Sequence, residues 1–294
     1  MKTYSLFEKT DFDVVIALGQ FDGLHLGHKY LLEKARIIAQ KNNAKLALFT
    51  IKKESYVSFM VLSFDELLFK AEKIGLKAVI YACENSDDIY SVTKDEFLRL
   101  LKTNFRLKGL VCGEDYTFGK DREGDALAVS KFCKENNLDF EMVELYKRNG
   151  HKISSTDIRN YLQMGAVEAA NDYLGDEYFV MGKVLEGRRV GRQMGFPTAN
   201  IRISPQKMEI AYGVYKTKIL VEGKLYDSIT NVGYSPTFDY PLPTVETYIL
   251  NFNKDIYDCT VVVFFEKFLR KLCKFDTMKQ LTEQIQKDIS ENYD

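Results

Sequence analysis

The sequence predicts an α/β first half, a parallel sheet with helices on both faces, followed by a small antiparallel β domain closed by a helix. Three observations carry this. Short apolar runs alternate with helical periodicities in the first half, and all five prolines (Pro197, Pro205, Pro236, Pro241, Pro243) lie beyond residue 196. The length of 294 residues also fits two cores, at roughly 150 residues per domain. The expected domains are residues 1–176, which include a connecting helix, and residues 177–294.

Taken in order, residues 14–18 (VVIAL) form a wholly apolar run bounded by Gly19, the pattern of a strand buried on both faces. After a loop at 19–23, Leu31, Leu32, Ala35, Ile38 and Ala39 recur at helical spacing. Residues 45–51 predict a second strand, 64–74 a helix stopped by Gly75, and 78–82 a third strand. A helix at 94–103 and a strand at 109–113 follow, the strand ending in a second glycine-bounded loop. Residues 158–174 predict one helix stopped by Gly175. Repeated β-then-α units imply a parallel sheet, in which ligands bind beyond the carboxyl ends of the strands.

In the second half, residues 216–221, 244–252 and 258–265 have the β-branched and aromatic content of strands. Proline- and glycine-bearing loops separate them, which predicts an antiparallel barrel or sandwich. The last helix starts at a capping box of Thr277 and Gln280, and Met278, Leu281, Ile285 and Ile289 form its apolar stripe.

Composition narrows the function classes. With 46% hydrophobic and 28% charged residues the chain is an ordinary globular one. Its net charge of −1 gives no support to binding nucleic acid or a membrane surface. Apolar runs such as 14–18 and 261–265 are far short of the roughly 20 residues of a membrane span. The N-terminus reads as neither signal nor transit peptide. Five widely spaced cysteines read as reduced thiols, so a cytoplasmic location is expected.

Three polar constellations suggest chemistry. In the first, Gly19-Gln20-Phe21-Asp22-Gly23-Leu24-His25-Leu26-Gly27-His28, two of the chain's three histidines stand three apart at a helix start. A helix N-terminus with nearby glycines attracts phosphate, and imidazoles there can donate to charge developing on an attacked phosphorus. In the second, Gly182, Lys183, Gly187, Gly191, Arg192 and Gly195 make a basic glycine-rich stretch running into Pro197-Thr198-Ala199-Asn200. It suits a loop covering a triphosphate, although its spacing is neither a Walker A loop nor a dinucleotide fingerprint. The third is Glu246, the one acid in the strand at 244–252.

The string GQFDGLHLGH resembles the His-x-Gly-His signature of nucleotidyltransferases, in its flavin-adenylylating branch. The segment at 113–119 with Asp115, the following Arg122-Glu123-Gly124-Asp125, and Ile153-Ser154-Ser155-Thr156-Asp157-Ile158-Arg159 resemble two further motifs of that branch. The run from Gly182 to Asn200 resembles the riboflavin kinase signature, with Leu269-Arg270 before Phe275 as a flanking match. Over nearly its whole length the chain resembles the bacterial bifunctional riboflavin kinase/FAD synthetase family.

That resemblance implies a Rossmann-like nucleotidyltransferase domain followed by a riboflavin kinase barrel. It implies that ATP phosphorylates riboflavin to FMN and ADP, and that FMN and a second ATP then give FAD and pyrophosphate, both steps with Mg²⁺. His25 and His28 would act on the adenylyl transfer. Gly19, Phe21, Asp22, Gly23, Gly27, Asp115, Arg122, Ser154, Ser155, Thr156 and Arg159 would bind its ATP. In the kinase half, Gly182, Lys183, Gly187, Gly191, Arg192, Gly195 and Pro197 would bind ATP. Thr198 and Asn200 would hold Mg²⁺, Glu246 would be the general base, and Arg270 would contact the flavin.

The chain departs from the family pattern in places. No proline follows Phe49-Thr50, the basic residue of the next helix is replaced around Leu67-Leu68, and Lys77 replaces an acid. In the kinase half Asn251, Asp258 and Leu272 replace Asp, Gly and Glu. A kinase-only enzyme with an altered first domain, and a flavin-binding sensor without turnover, remain open on the sequence.

Overall fold

Strands Lys2–Ser5 (β1), Asp13–Leu18 (β2), Lys45–Lys52 (β3), Ala78–Cys83 (β4), Arg106–Gly113 (β5) and Asp139–Val143 (β8) build an all-parallel sheet. Their order is β1-β4-β3-β2-β5-β8. The computed structural model describes residues 1–54, 60–85, 89–148, 150–186, 196–233 and 244–293. The chain divides into two units, Met1–Ser155 and Thr156–Asp294.

In the first unit β2 is central, and the strands after it fan out on both sides: β3 pairs with one edge and β5 with the other. The crevice beyond their carboxyl ends is therefore the topological switch point where α/β sheets bind ligands. Val14, Ile16 and Leu18 pack into a core with Phe97, Leu101, Val129 and Cys133. Val15 and Ala17 are fully buried on the opposite face, because strand side chains alternate. Helix Leu26–Lys41 (α1) packs on β2, and its buried residues are Leu31, Leu32, Ala35, Ile38 and Ala39, the predicted stripe. Helix Phe64–Lys73 (α2) opens on a Ser63–Glu66 capping box, and helix Lys94–Asn104 (α3) on Thr93.

Several elements of the first unit were not predicted, nor were strands Tyr178–Leu185, Thr198–Arg202 and Lys224–Gly233 of the second. Those of the first unit are β1, helix Ala126–Glu135 (α4), β8, and the small hairpins Thr117–Phe118 (β6) with Gly124–Asp125 (β7) and Lys147–Arg148 (β9) with His151–Lys152 (β10). The predicted helix at 158–174 is two helices, Ser155–Met164 (α5) and Val167–Leu174 (α6), broken at Gly165, where φ is +79°.

The second unit contains a closed six-stranded antiparallel barrel. Strands Tyr178–Leu185 (β11), Thr198–Arg202 (β12), Gly213–Val221 (β13), Lys224–Gly233 (β14), Thr244–Ile249 (β15) and Thr260–Arg270 (β16) run in the order β11-β12-β15-β14-β13-β16. Closure removes the open edges of a sandwich, which settles the alternative left by the sequence. Inside, the hydroxyls of Thr217, Ser228, Thr230 and Thr247 are fully buried and linked side chain to side chain at 2.8–2.9 Å. Each hydroxyl has a hydrogen-bond partner within the chain, so the polar row costs little to bury. The terminal helix Met278–Tyr293 (α7) starts on the predicted capping box. Its expected apolar stripe is only half-buried, with Met278 exposed, and its one buried residue is Asp288.

Candidate active sites

In the first unit the loop between β2 and α1 is held from beneath by its own carbonyls. Thr50 Oγ1 donates to Gln20 O at 2.7 Å, Ser155 Oγ to Asp22 O at 2.9 Å, and Lys70 Nζ to Gly23 O at 3.0 Å. The Asp22 carboxylate is buried and accepts the backbone N–H of Val61 at 2.7 Å and of Leu62 at 3.3 Å. Phe21 (φ 52°), Gly23 (φ 83°) and Leu24 (φ 47°) all lie in the left-handed region. Non-glycine residues held there signal a backbone over-determined by its surroundings, and such positions cluster at functional sites.

His25 caps α1: its Nδ1 accepts the backbone N–H of His28 at 3.3 Å. In a neutral imidazole the proton is then on Nε2. The two rings stack with centroids 3.7 Å apart and 18° between planes, and Phe21 backs His28 at 5.1 Å. A Cβ on Gly27 would lie 3.1 Å from the His25 ring. The glycine therefore leaves room for the His25 ring. Burial, then the charges of His25 and Lys70, holds the His28 imidazole well below its ordinary pKa, so it is neutral near pH 7. Its Nδ1 is buried without a hydrogen-bond partner.

A cavity of about 730 Å³ opens beside this pair, lined by Gly19, His28, Asp115 and Arg122 among others. Its wall from β3 onward is Phe49, Ile51 and Lys53, joined by Ile89, Tyr90 and Phe97. Here Lys53 Nζ meets both Glu84 Oε1 and Tyr90 OH. Asp115 is paired with Lys152 at 2.5 Å, and Arg122 stands with Asp121 in the left-handed region (φ 58° and 51°). Ser154 and Ser155 close the first unit. Thr156 and Arg159 open the second, where Arg159 Nη2 donates to Thr156 Oγ1 at 3.1 Å.

The second candidate site lies on the barrel. Register sets Asn200 of β12 opposite Glu246 of β15, and Glu246 opposite Asn231 of β14. Three polar side chains thus form one row across three strands, on the half-exposed face that alternates with buried Val245, Thr247 and Ile249. Burial raises the Glu246 carboxyl above its ordinary pKa. Thr198 and Asn200, two apart on β12, share a face and line a cavity of about 270 Å³ with Pro197, Phe252 and Tyr257. Among the described residues no hydrogen bond or ion pair commits either side chain. A hydroxyl and an amide carbonyl are hard oxygen donors, so the pair fits Mg²⁺.

Of the predicted glycine-rich loop, Gly187, Gly191, Arg192 and Gly195 lie outside the described residues. Gly182 and Lys183 lie in β11, paired with Val261 and Thr260, and not in a loop as predicted. A Cβ on Gly182 would lie 1.9 Å from Arg202 O, so close approach of the neighbouring strand requires glycine there. Arg270 ends β16, with its guanidinium on Asp288. Sequence reasoning missed Lys70 and Thr50 as site residues. Asn231 entered it only within Asn231-Val232-Gly233, a flanking match to the riboflavin kinase family and not a site assignment.

Comparison with known proteins assigns a family to each half of the chain. A family model for FAD synthetase matches residues 7–157, and one for riboflavin kinase matches residues 174–293. A protein of Bacillus subtilis named bifunctional riboflavin kinase/FMN adenylyltransferase is 32% identical, over 94% of this chain and 90% of its own. A namesake in Listeria monocytogenes is also 32% identical, over 96% and 92%. A crystal structure described as a macrolide-efflux protein from Streptococcus pneumoniae superposes with a TM-score of 0.86 at 29% identity, covering 100% of both chains. Among the described residues no helix is long and apolar enough to cross a membrane.

Proposed function

The chain belongs to the bifunctional riboflavin kinase/FMN adenylyltransferase family, and on that premise we propose that it makes FAD from riboflavin in two ATP-dependent steps. Residues 177–294 phosphorylate riboflavin to FMN with release of ADP. Residues 1–176 join FMN to the adenylyl group of a second ATP with release of pyrophosphate. The observation that carries this reading is that each unit has its own cavity, one beside the stacked His25–His28 pair, the other lined by Thr198 and Asn200 with Glu246 in register opposite Asn200.

In the kinase step Glu246 takes the proton of the ribityl 5′-hydroxyl as that oxygen attacks the γ-phosphorus. Its raised pKa suits this role, because a base works best with a pKa nearer the working pH. Thr198 and Asn200 would hold Mg²⁺, which neutralises charge on the phosphates when bound. Gly182, Lys183, Pro197 and the loop through Arg192 border the nucleotide, and Arg270 contacts the flavin.

In the adenylyl step a phosphate oxygen of FMN attacks the α-phosphorus of ATP. His25 through Nε2–H, and neutral His28, donate to the charge that develops there. Ser154, Ser155, Thr156, Arg159 and Arg122 take the β- and γ-phosphates that leave, and this step also uses Mg²⁺–ATP. The five widely spaced cysteines, read as reduced thiols, support a cytoplasmic enzyme.

The test is direct. The protein is incubated with riboflavin, Mg²⁺ and ATP, and FMN is separated from FAD by chromatography. Both products are expected; FMN alone reduces the enzyme to a kinase, and neither product leaves a flavin-binding protein.

A further inference from the structure

Helix α7 buries one residue fully, and that residue is an acid, Asp288. Its partner is Arg270 at the end of β16. Nε of Arg270 donates to Oδ1 and Oδ2 of Asp288 at 3.1 Å each, and Nη2 to Oδ2 at 2.8 Å. Gln284, one turn earlier on α7, donates Nε2 to Oδ1 at 2.8 Å. The carboxylate is thus saturated, and it engages one edge of the guanidinium only. The third nitrogen, Nη1, makes long contacts, 3.5 Å to Lys271 O and 3.3 Å to Cys273 Sγ.

Docking of α7 does not depend on this pair alone. Tyr293 OH donates to Thr217 O at 2.8 Å and Ser228 O at 2.7 Å, and Lys216 Nζ to Asn292 O at 2.9 Å. A buried ion pair is moreover a weak source of net stability, since desolvation offsets its attraction. What a bidentate carboxylate supplies well is orientation, because it fixes the guanidinium plane.

We propose that Asp288 is a positioning residue for riboflavin: it holds the Nε–Nη2 edge of Arg270 so that Nη1 faces an oxygen acceptor of the flavin. The inference rests on the assignment of Arg270 to the flavin site. The chemistry needed of the ligand is a carbonyl or hydroxyl oxygen in the guanidinium plane. Without Asp288 the arginine keeps its charge but loses its fixed direction.

The test uses the full-length protein. Asp288→Asn is expected to raise the KM for riboflavin about tenfold, the scale of one charge-assisted hydrogen bond, while kcat and the KM for ATP change less than about twofold. Asp288→Glu should recover most of the affinity, and adenylylation of supplied FMN should not change. An unchanged riboflavin KM, whatever the thermal midpoint does, overturns the proposal, as does an equal rise in both KM values. Where Asp288→Asn does not fold, Gln284→Ala should raise the riboflavin KM about threefold, and no rise overturns it. Arg270→Lys separates the two levels: if it leaves the riboflavin KM unchanged, the flavin assignment of Arg270 itself fails.

Discussion

The backbone N–H of His28 donates to Nδ1 of His25, and the two imidazoles stack with centroids 3.7 Å apart. One histidine's main chain therefore selects the other's tautomer, and Gly27 leaves the room for the ring to lie there. In the proposed function the pair would act as one preorganised donor group, so losing either member should cost most of the effect. His25→Ala and His28→Ala are each expected to lower FAD formation from FMN by roughly 10²–10³, with FMN formation from riboflavin unchanged. A parallel fall of both activities in either variant would refute the division of labour.

Glu246 should govern the kinase step alone. Glu246→Gln is expected to slow FMN formation by roughly 10²–10⁴, the range of a lost general base, and to leave adenylylation intact. The wild-type profile carries a signature of burial. Below its pKa the carboxyl is protonated and accepts no proton, so activity should fall on the acid side. Because burial raises that pKa, the fall should be centred above the ordinary glutamate value of about 4.3. A pH–rate profile of kcat/KM checks this, and an acid limb at or below the ordinary value contradicts it.

Lys70 lies beneath the phosphate loop with its ammonium on Gly23 O and its charge felt at His28. Lys70→Met keeps the length and removes the charge. The His28 pKa should rise toward its ordinary value of about 6.5, read by NMR titration. The stability consequence has a fixed sign. In the wild type the unfolded chain binds a proton at His28 that the folded chain does not, so stability falls as pH drops below about 6.5. In the variant that acid-side loss should shrink. A His28 titration that does not move would show that Lys70 only braces the loop.

Thr198→Ala and Asn200→Ala should each raise the Mg²⁺ concentration needed for half-maximal kinase activity, by about tenfold for one lost hard-oxygen ligand or its second-sphere equivalent. The Mg²⁺ dependence of adenylylation should stay as it is. An unchanged requirement in the kinase assay would remove both residues from the metal site.

Gly182→Ala tests the barrel. The added methyl would lie 1.9 Å from Arg202 O, so β11 and β12 must part. The expected loss is about 1–3 kcal/mol, typical of overpacking, read by denaturant unfolding; a fully stable variant would place this glycine in nucleotide binding alone.

The sequence by itself determined what depends on near neighbours in the chain. The five-residue apolar run became β2, the stripe from Leu31 to Ala39 became the buried face of α1, and Thr277 and Gln280 cap α7. Periodicity and capping are set within a few residues, so they are legible there. The histidine pair was legible through its motif, and Glu246 through the resemblance to the kinase family. The pairing of Asn231 with Glu246 and of Lys70 with Gly23 was not, because these partners are distant in the chain and meet only through strand register or helix packing. The same holds for the terminal helix, whose apolar stripe promised a greasy contact while tertiary packing buried Asp288 against Arg270 instead. Local pattern says which side of a helix can be buried. Which residue is buried, and what charge it meets there, is decided only when distant segments close around it.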